Sequence, residues 1–389
     1  MGSRFIACLA LCLNLVTAQS TDCTGTKAVS PKCASSETTF SRDVFYIGGR
    51  WIDNEYTNGN ITSDHLYVEK LTPAGGATQD KPLVFFHGGA VSGVQWLNTP
   101  DNRKGFASYF LDKGYMVYLL DHTGAGRSSQ EDSTDYPLWN STTVEGLVSG
   151  FTAPELNPTY PQATLHTQWP GTGQKGDPTF TAFSKWVIPF TNNWVQGETS
   201  MRVSGCALLE LLGPSYLISH SSGAQYPIVI SNDCPQYVAG NINLEHSTQP
   251  FWNYGSSLNS GNDFRLWGLA NTPLSYNPPI TNSTQLNKTW VGNDTLTTRR
   301  CYLQAEPARQ LPHISSVPYL CLTGEASVHM TYDHCVIAFL KQAGGDPEWI
   351  RLGERNITGN GHFLMLEKNN FEIAGVVEGW IRGKNGLMK

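Results

Sequence analysis

Charged side chains are scarce in this chain. They make up 15% of its 389 residues, against roughly 25% in an average soluble protein. Lysine and arginine together number 26 and aspartate and glutamate 32, so the formal net charge is −6, and the sequence has no run of basic residues. Proteins that bind nucleic acids or anionic membranes present a concentrated positive surface. The composition therefore argues against nucleic acid or a lipid surface as the main partner.

Long hydrophobic runs are lacking as well. The apolar stretch 5–16 follows Arg4 and is shorter than the roughly 20 residues that a membrane-spanning helix requires. Residues 16–18, Val-Thr-Ala, fit the small-residue rule for signal-peptidase cleavage. The pattern predicts a signal peptide at 1–18, a secreted protein and no membrane span.

Asn-x-Ser/Thr sequons agree with this location, because N-glycosylation takes place in the secretory pathway. We expect some of the six to carry glycans. Their asparagines are Asn60, Asn140, Asn282, Asn287, Asn293 and Asn356.

The chain has no Cys-x-x-Cys pair and no cluster of cysteine and histidine at metal-ligand spacing, which argues against a zinc site. Of its nine cysteines, Cys8 and Cys12 lie in the predicted signal peptide. The remainder should mostly pair in an oxidising compartment, and an odd number leaves one thiol free or intermolecular. Cys23 and Cys33 close a short loop, so we predict that they form a disulfide. We expect neither a metal nor an organic cofactor.

Alternating strand and helix signals predict an α/β domain. Leu83–Phe86 and 115–120 are continuous apolar runs separated by a helix-like segment, which is typical of parallel strands with a right-handed crossover. Two irregular stretches, at about 130–200 and 247–315, interrupt the pattern and are predicted insertions. Such insertions usually form lids or walls of a binding site. For 280–295, which carries sequons, a glycosylated surface elaboration is the simpler interpretation.

The most informative segment begins with an apolar run at 216–218. The residues Ser219-His220-Ser221-Ser222-Gly223 follow, and a helix-like segment comes next. A strand, a tight turn of small residues and a helix form the layout of a nucleophile elbow, which exposes a serine hydroxyl on a strained turn. The usual form is G-x-S-x-G, and here Ser219 takes the place of the first glycine. Ser221 is the candidate nucleophile.

A nucleophilic serine needs a base, and ten histidines compete for that role. His362 lies in the small-residue loop Gly359-Asn-Gly-His362, after the last predicted strand. The chain order serine, acid, histidine is that of the nucleophile-elbow enzymes, and it selects His362 as the base. His220 stands beside the nucleophile but on the other side of the strand end, so we interpret it as structural or pocket-lining.

The acid that orients the base has two candidates. Glu245 follows the predicted strand 237–244, and Glu325 follows the predicted strand 317–322. A carboxylate in either place can stabilise an imidazolium and hold its tautomer. Position alone slightly favours Glu325.

Donors for an oxyanion complete the set. One is the N–H of Ser222, directly after the nucleophile, and the other is expected in the loop after the first parallel strand. That loop is His87-Gly88-Gly89-Ala90, where Gly89 lets the backbone approach a substrate closely. We predict an oxyanion hole formed by Gly89 and Ser222, with His87 and Gly88 lining the pocket.

Taken together, these motifs resemble the α/β-hydrolases and, more narrowly, a bacterial and fungal group of secreted esterases. In that group the acid is a glutamate on the strand after the elbow. The resemblance therefore implies Glu245 as the acid, with Glu325 as the alternative. It rests on His87-Gly-Gly-Ala, Asp121-His-Thr-Gly-Ala-Gly-Arg-Ser128, Ser219 to Gly223 with Tyr226-Pro227, Leu244-Glu245, and Gly359-Asn-Gly-His362 with Asn369-Asn370.

The expected architecture is an α/β-hydrolase fold, a mostly parallel central sheet flanked by helices. We predict an N-terminal arm at 19–42 and a catalytic domain at 43–389 that contains both insertions. The expected function is a secreted serine esterase acting on a small or aromatic, apolar ester. The alternatives are a lactonase or a secondary-metabolite acyltransferase or cyclase, and a non-catalytic secreted binding protein. The oligomeric state does not follow from the sequence, and a homodimer remains an option.

Overall fold

The structure, a computed structural model, describes residues 21–54, 58–140, 142–254 and 261–386. The predicted signal peptide at 1–18 lies outside the described residues. No helix in the described part of the chain is long and apolar enough to cross a bilayer.

Short strands and helices alternate along most of the chain. The strands are β1 (Phe40–Asn54), β2 (Gly59–Pro73), β3 (Leu83–Phe86), β4 (Val117–Asp121), β5 (Leu138–Trp139), β6 (Phe190–Thr191), β7 (Ser215–His220), β8 (Val238–Leu244), β9 (Trp252–Tyr254), β10 (Gly261–Asp263), β11 (Lys288–Val291), β12 (Cys301–Gln304), β13 (Tyr319–Thr323) and β14 (Glu348–Arg351). The α-helices are α1 (Phe106–Asp112), α2 (Val144–Leu147), α3 (Pro178–Ser184), α4 (Trp194–Leu212), α5 (Gln225–Asp233), α6 (Pro312–Ser315), α7 (Asp333–Gln342) and α8 (Asn370–Lys384).

Eight of these strands form one sheet, in the order β1-β2-β4-β3-β7-β8-β13-β14. The hairpin β1–β2 is antiparallel and joins β4 antiparallel, whereas all pairs from β4 to β14 are parallel. This confirms the predicted mainly parallel sheet. Because parallel strands end at the same edge, the loops after β3, β7, β8 and β13 meet there.

The sheet is covered on both faces, as its continuous apolar strands require. Along β3, Leu83 and Phe85 point into a core shared with α1 and α8. Val84 and Phe86 point to the opposite face and pack with α4 and α5. A third core joins α7 to residues of the second insertion.

The first stretch predicted as an insertion, 130–200, contains β5, β6, α2, α3 and the first turns of α4. Its aromatic rings reach the loop that carries His362: Phe151 and Phe183 lie 5.4 and 5.0 Å from the ring of Phe363. The second stretch, 247–315, contains β9 to β12 and α6. Their placement fits walls or lids, although the domain boundaries remain predictions.

Helix α4 begins earlier than its sequence suggests. The apolar residues alone indicate only a short helix at about 203–212, whereas α4 starts at Trp194, where the Asn193 side chain accepts the Gln196 N–H. Its first half contains glycine, threonine and serine, which have weak helix propensity. Tertiary contacts stabilise it instead: Gln196 Nε2 donates to Asp64 Oδ1 of β2 at 2.8 Å, and Met201 is buried in the core that contains Val84 and Phe86.

Of the three disulfides in the described residues, one lies within the arm, one lies within the domain outside the insertions, and one joins the second insertion to α7. The predicted Cys23–Cys33 pair is confirmed. The remaining cysteines form Cys206–Cys234 and Cys301–Cys335, and Cys321 is a buried free thiol. The six sequon asparagines are all exposed, which leaves them accessible for the predicted glycosylation.

Candidate active site

Ser221 lies on the sharp turn between β7 and α5. Its backbone has φ of 53°, in the left-handed region that costs free energy for a residue with a side chain. The turn also needs a residue without a side chain two positions on, because a Cβ on Gly223 would lie 2.1 Å from the His87 carbonyl oxygen. This is the strained geometry expected of a nucleophile elbow.

The serine in place of the first elbow glycine has a structural partner. Ser219 is fully buried, and its Oγ donates a hydrogen bond to Asn243 Oδ1 on β8 at 2.7 Å. The two residues are opposite each other in the β7–β8 register. The hydroxyl therefore ties the nucleophile strand to the strand that ends in Glu245.

His362 and Glu245 lie next to each other at the carboxyl edge of the sheet. Nδ1 of His362 is 3.4 Å from Oε2 of Glu245. The His362 carbonyl accepts a hydrogen bond from Nε2 of His220 at 3.0 Å. His220 thus contacts the loop that carries His362, and it is not among the lining residues of the cavity described below.

Glu245 is fully buried, and it also adopts a left-handed backbone, with φ of 56°. Burial raises the pKa of its carboxyl group well above the usual value, and the nearby Asp333 raises it further. The Gly324 N–H, 2.6 Å from Oε1, and the Ser327 hydroxyl oppose this by donating to the carboxylate. Burial lowers the pKa of His362.

Glu325, the alternative acid, has a different partner. Its Oε2 accepts the Gly359 N–H at 2.9 Å, and no hydrogen bond joins it to His362 in the described residues. A second carboxylate, Glu367, accepts the Gly361 N–H at 2.8 Å and the Asn360 side-chain amide. Glu325 and Glu367 therefore hold the loop that carries His362, and Glu245 is the carboxylate next to its imidazole.

The Ser221 hydroxyl is directed at another serine in this structure. Its Oγ lies 3.4 Å from Ser247 Oγ, and the Ser247 N–H donates to the Ser221 carbonyl at 3.3 Å. Ser221 and His362 share no hydrogen bond within the described residues. Catalytic hydrogen bonds are often long in a site without substrate and shorten when it binds. Rotation of one side chain would redirect the hydroxyl.

The predicted oxyanion donors Gly89 and Ser222 line the same small cavity. The two residues are close to each other, since a Cβ on Gly89 would lie 2.9 Å from Ser222 Oγ. The cavity together with the open space at its mouth occupies about 280 Å³, and His87 and Gly88 are among its lining residues. Its wall includes Phe190 and Trp194 from the first insertion.

His87 is fixed as a neutral imidazole at the base of this loop. Its Nε2 accepts the His122 backbone N–H at 3.0 Å, so its proton lies on Nδ1, which faces the Gly88 carbonyl at 2.7 Å. Burial lowers the pKa of His87, in agreement with the neutral form. The His122 ring stacks on it at 3.7 Å, and His122 Nε2 has no hydrogen-bond partner in the described residues.

Two groups of side chains have ligand types and spacing that a metal ion could use. In Cys301, His334 and Cys335 the sulfurs are joined in a disulfide and are not thiolates. In Glu245, His329 and His362 the carboxylate already accepts two hydrogen bonds. We assign neither group to a metal.

Several residues of the site were missed at the sequence level. Ser247, Ser327 and His329 contact the candidate catalytic groups, but they lie in irregular loops without periodicity. The positive φ of Glu245 turns the chain so that Ser247 faces Ser221. The spacing of His329 and Asp333, one helical turn apart, was the only sequence signal available for His329.

The chain has similar proteins of known sequence and of known structure, although no family model matches it. The chain is 38% identical over 351 residues to the probable secreted lipase phiG of Fungal sp. (strain ATCC 74256), and the match covers 90% of this chain and 91% of that protein. The structure of a bacterial esterase superimposes with a TM-score of 0.57 at 20% identity, over 91% of this chain and 99% of the esterase.

Proposed function

Because this chain belongs to the α/β-hydrolases, among their secreted lipases and esterases, we propose that it is a secreted serine hydrolase of carboxylic esters. The observation that carries the proposal is the placement of Glu245 3.4 Å from His362, at the same edge of the sheet as a serine on a strained elbow. The three disulfides agree with an extracellular location.

The proposed mechanism uses the chain's own groups. His362 removes the proton from the Ser221 hydroxyl as Oγ bonds to the ester carbonyl carbon, and the carbonyl π electrons move to its oxygen. The N–H groups of Gly89 and Ser222 hold that oxyanion. The intermediate collapses, the C–O bond to the alcohol breaks, and His362 returns the proton to the leaving oxygen. Water then repeats the sequence on the acyl-enzyme and releases the acid.

Glu245 acts on His362 during both half-reactions. An ionised carboxylate at Nδ1 holds the imidazole with its free nitrogen toward the serine and stabilises the imidazolium that forms. Burial strengthens this effect, because charges interact more strongly where water is excluded. The hydrogen bonds from Gly324 and Ser327 support the ionised form of the carboxylate.

The cavity beside Gly89 and Ser222 is the space next to the proposed oxyanion donors. Phe190 and Trp194 supply apolar wall, and His122 adds a polar group. We propose that the acyl part of the ester enters this cavity, whereas the alcohol part extends outwards.

The test is a screen of aryl, acyl-chain and lactone substrates on the wild type, Ser221→Ala and the control Ser316→Ala, which changes an exposed serine remote from the site. Hydrolysis should fall by roughly 10⁶-fold in Ser221→Ala and persist in Ser316→Ala. Turnover that survives Ser221→Ala would overturn the proposal. Product analysis with water and an added alcohol separates hydrolysis from acyl transfer.

A further inference from the structure

A second histidine lies against the candidate acid. Nδ1 of His329 is 3.0 Å from Asp333 Oδ1, and its Nε2 is 3.9 Å from Glu245 Oε2. Its ring is stacked nearly parallel to that of His362, with centroids 5.1 Å apart. His329 is 2% exposed, and Asp333 and Glu245 are fully buried. The catalytic steps proposed above do not use His329.

The two ring nitrogens of His329 have partners that do not suit a neutral histidine. A neutral imidazole has one N–H donor and one acceptor nitrogen. Here each nitrogen faces a carboxylate oxygen, and an ionised carboxylate only accepts hydrogen bonds. A lone pair at either nitrogen would face negative charge in a buried site. Protons on both nitrogens therefore give a hydrogen bond to Asp333 and a favourable charge interaction with Glu245.

Charge compensation leads to the same conclusion. Without a cation, Asp333 and Glu245 would place two negative charges side by side in a site that excludes water, which disfavours ionisation of one of them. Asp333 also accepts the Thr323 hydroxyl at 2.6 Å. A doubly protonated His329 between the carboxylates reduces the net charge of the group from −2 to −1.

We propose that His329 is a positioning residue for catalysis, a protonated bridge between Asp333 and Glu245 that keeps the catalytic acid ionised. The proposal rests on the proposed function and deepens it, because His329 acts through Glu245 and does not contact the substrate.

Other titratable groups surround this bridge. On its own segment are Asp333 and Tyr332, and from β8 come Glu245 and the neutral His246 that follows it. The other imidazoles are His362 and, behind it, His220. Tyr160, from the first insertion, donates to the Ala326 carbonyl and lies near Glu245. Asp333 and Glu245 are the carboxylates in contact with the His329 nitrogens in the described residues.

The sign of the expected pH effect follows from these charges. The positive charge of His329 favours the ionised form of Glu245 and disfavours a second cation on His362, so it lowers the pKa of both groups. Removing the charge of His329 therefore raises the pKa of Glu245 and the pKa of His362. Activity requires a neutral His362 and an ionised Glu245, and the low-pH limb of the kcat/KM profile reports the loss of these two forms. Replacing His329 should therefore move this limb to higher pH. A charge at this distance shifts a pKa by roughly 1–3 units, so the expected displacement is about one pH unit.

The variants are His329→Asn, His329→Gln and each combined with Asp333→Asn. Asparagine keeps an amide N–H near the Nδ1 position, facing Asp333, but places nothing at Glu245. The matched control is His334→Gln, a half-buried histidine on α7 that does not contact Glu245. Folding is followed by circular dichroism and Tm, and the active fraction by titration with a fluorophosphonate. The measurement is kcat/KM for a soluble aryl ester between pH 4 and 9.

Both single variants should show the low-pH limb displaced upwards by about one unit, and His334→Gln should superimpose on the wild type. Adding Asp333→Asn restores the net charge of −1, so it should return the limb toward the wild-type position and raise the Tm of the single variant. A structural role alone would lower Tm without moving the limb.

Limbs of both single variants that superimpose on the wild type would overturn the proposal. The proposal would also be overturned if the double variants had a lower Tm than the single variants. It would be overturned as well if the single and the double variants all failed to fold. If the wild type shows no turnover that depends on Ser221, the proposed function fails, and this inference fails with it. An active wild type with an unmoved limb removes only the role of His329.

Discussion

The ends of β8 and β13 lie side by side at the carboxyl edge of the sheet, and each is followed by a glutamate. After β8, Glu245 is fully buried, with its carboxylate against the imidazole of His362. After β13, Glu325 is part-exposed and accepts the backbone N–H of Gly359. One carboxylate faces the imidazole of His362, and the other holds the loop that carries it.

This difference shows that position in the fold does not by itself assign the acid. Both glutamates occupy equivalent places, one residue and two residues past the ends of adjacent strands. Glu245 reaches His362 because its left-handed backbone turns the side chain inwards, where Gly324 and Ser327 donate to it. The loop after β13 thus supplies donors to the acid of the neighbouring strand.

The largest effect is expected from Glu245→Gln. Glutamine keeps the size of the side chain but cannot stabilise an imidazolium, and the equivalent change in a serine protease triad lowers kcat by roughly 10⁴-fold. We expect a loss of that order in kcat with little change in Tm. A loss below tenfold would show that the acid lies elsewhere.

A smaller effect is expected from Glu367→Gln, which weakens the other anchor of the His362 loop. Glu367 accepts the N–H of Gly361 with one oxygen and the Asn360 amide with the other. Glutamine keeps only one of these two acceptors, so the change should displace the imidazole. A misplacement of about 1 Å can cost roughly 10²-fold in rate. We expect a fall in kcat of up to that size together with a lower Tm, with the exposed Glu372→Gln as control. A normal kcat would show that the loop is held in place without Glu367.

Glu367 also contacts His166, and this contact makes the stability of the protein depend on pH. Burial by itself would lower the pKa of His166, but the carboxylates of Glu367 and Glu155, at 3.1 and 2.8 Å, raise it above the usual value. The free energy that these ion pairs contribute to folding is therefore fully present below the unfolded pKa of about 6.5. It is lost as the pH rises through the folded pKa of His166.

Thermal melts of the wild type and His166→Gln between pH 5 and 9 should differ most at acid pH, by about 1.5–3 kcal/mol for hydrogen bonds to charged groups. The two curves should converge as the pH increases. A difference that grows toward alkaline pH would mean that His166 is neutral in the folded protein.

The smallest effect is expected from Glu325→Gln. The glutamine oxygen still accepts the Gly359 N–H, so kcat should stay within roughly twofold of the wild type. A loss comparable with that of Glu245→Gln would exchange the roles of the two glutamates.

Much of the fold follows from local patterns. The strand Leu83–Phe86 is confirmed with its predicted bounds, because a buried parallel strand is a continuous apolar run. The start of α4 was not predictable, since its first turns contain weak helix formers and owe their structure to hydrogen bonds with β2 and the second insertion. Tertiary contacts outweigh propensity in that segment.

The candidate site likewise contains residues that the sequence indicates and residues that only the folded structure reveals. Ser221 and His362 stand in motifs whose small residues reflect backbone geometry, so the sequence indicates them directly. The choice between Glu245 and Glu325 came from the family resemblance, because the residues themselves left it open. His329 and Ser247 depend on how the chain turns after Glu245 and before α7, which no periodicity encodes.

The most direct test of the triad is covalent labelling with a fluorophosphonate, located by mass spectrometry of the peptides. The account predicts one adduct on Ser221 in the wild type, none in Ser221→Ala, and labelling that is slower by orders of magnitude in His362→Ala and Glu245→Gln but normal in Glu325→Gln. An adduct on another residue, or a Ser221 that stays unlabelled in folded wild-type protein, would contradict it.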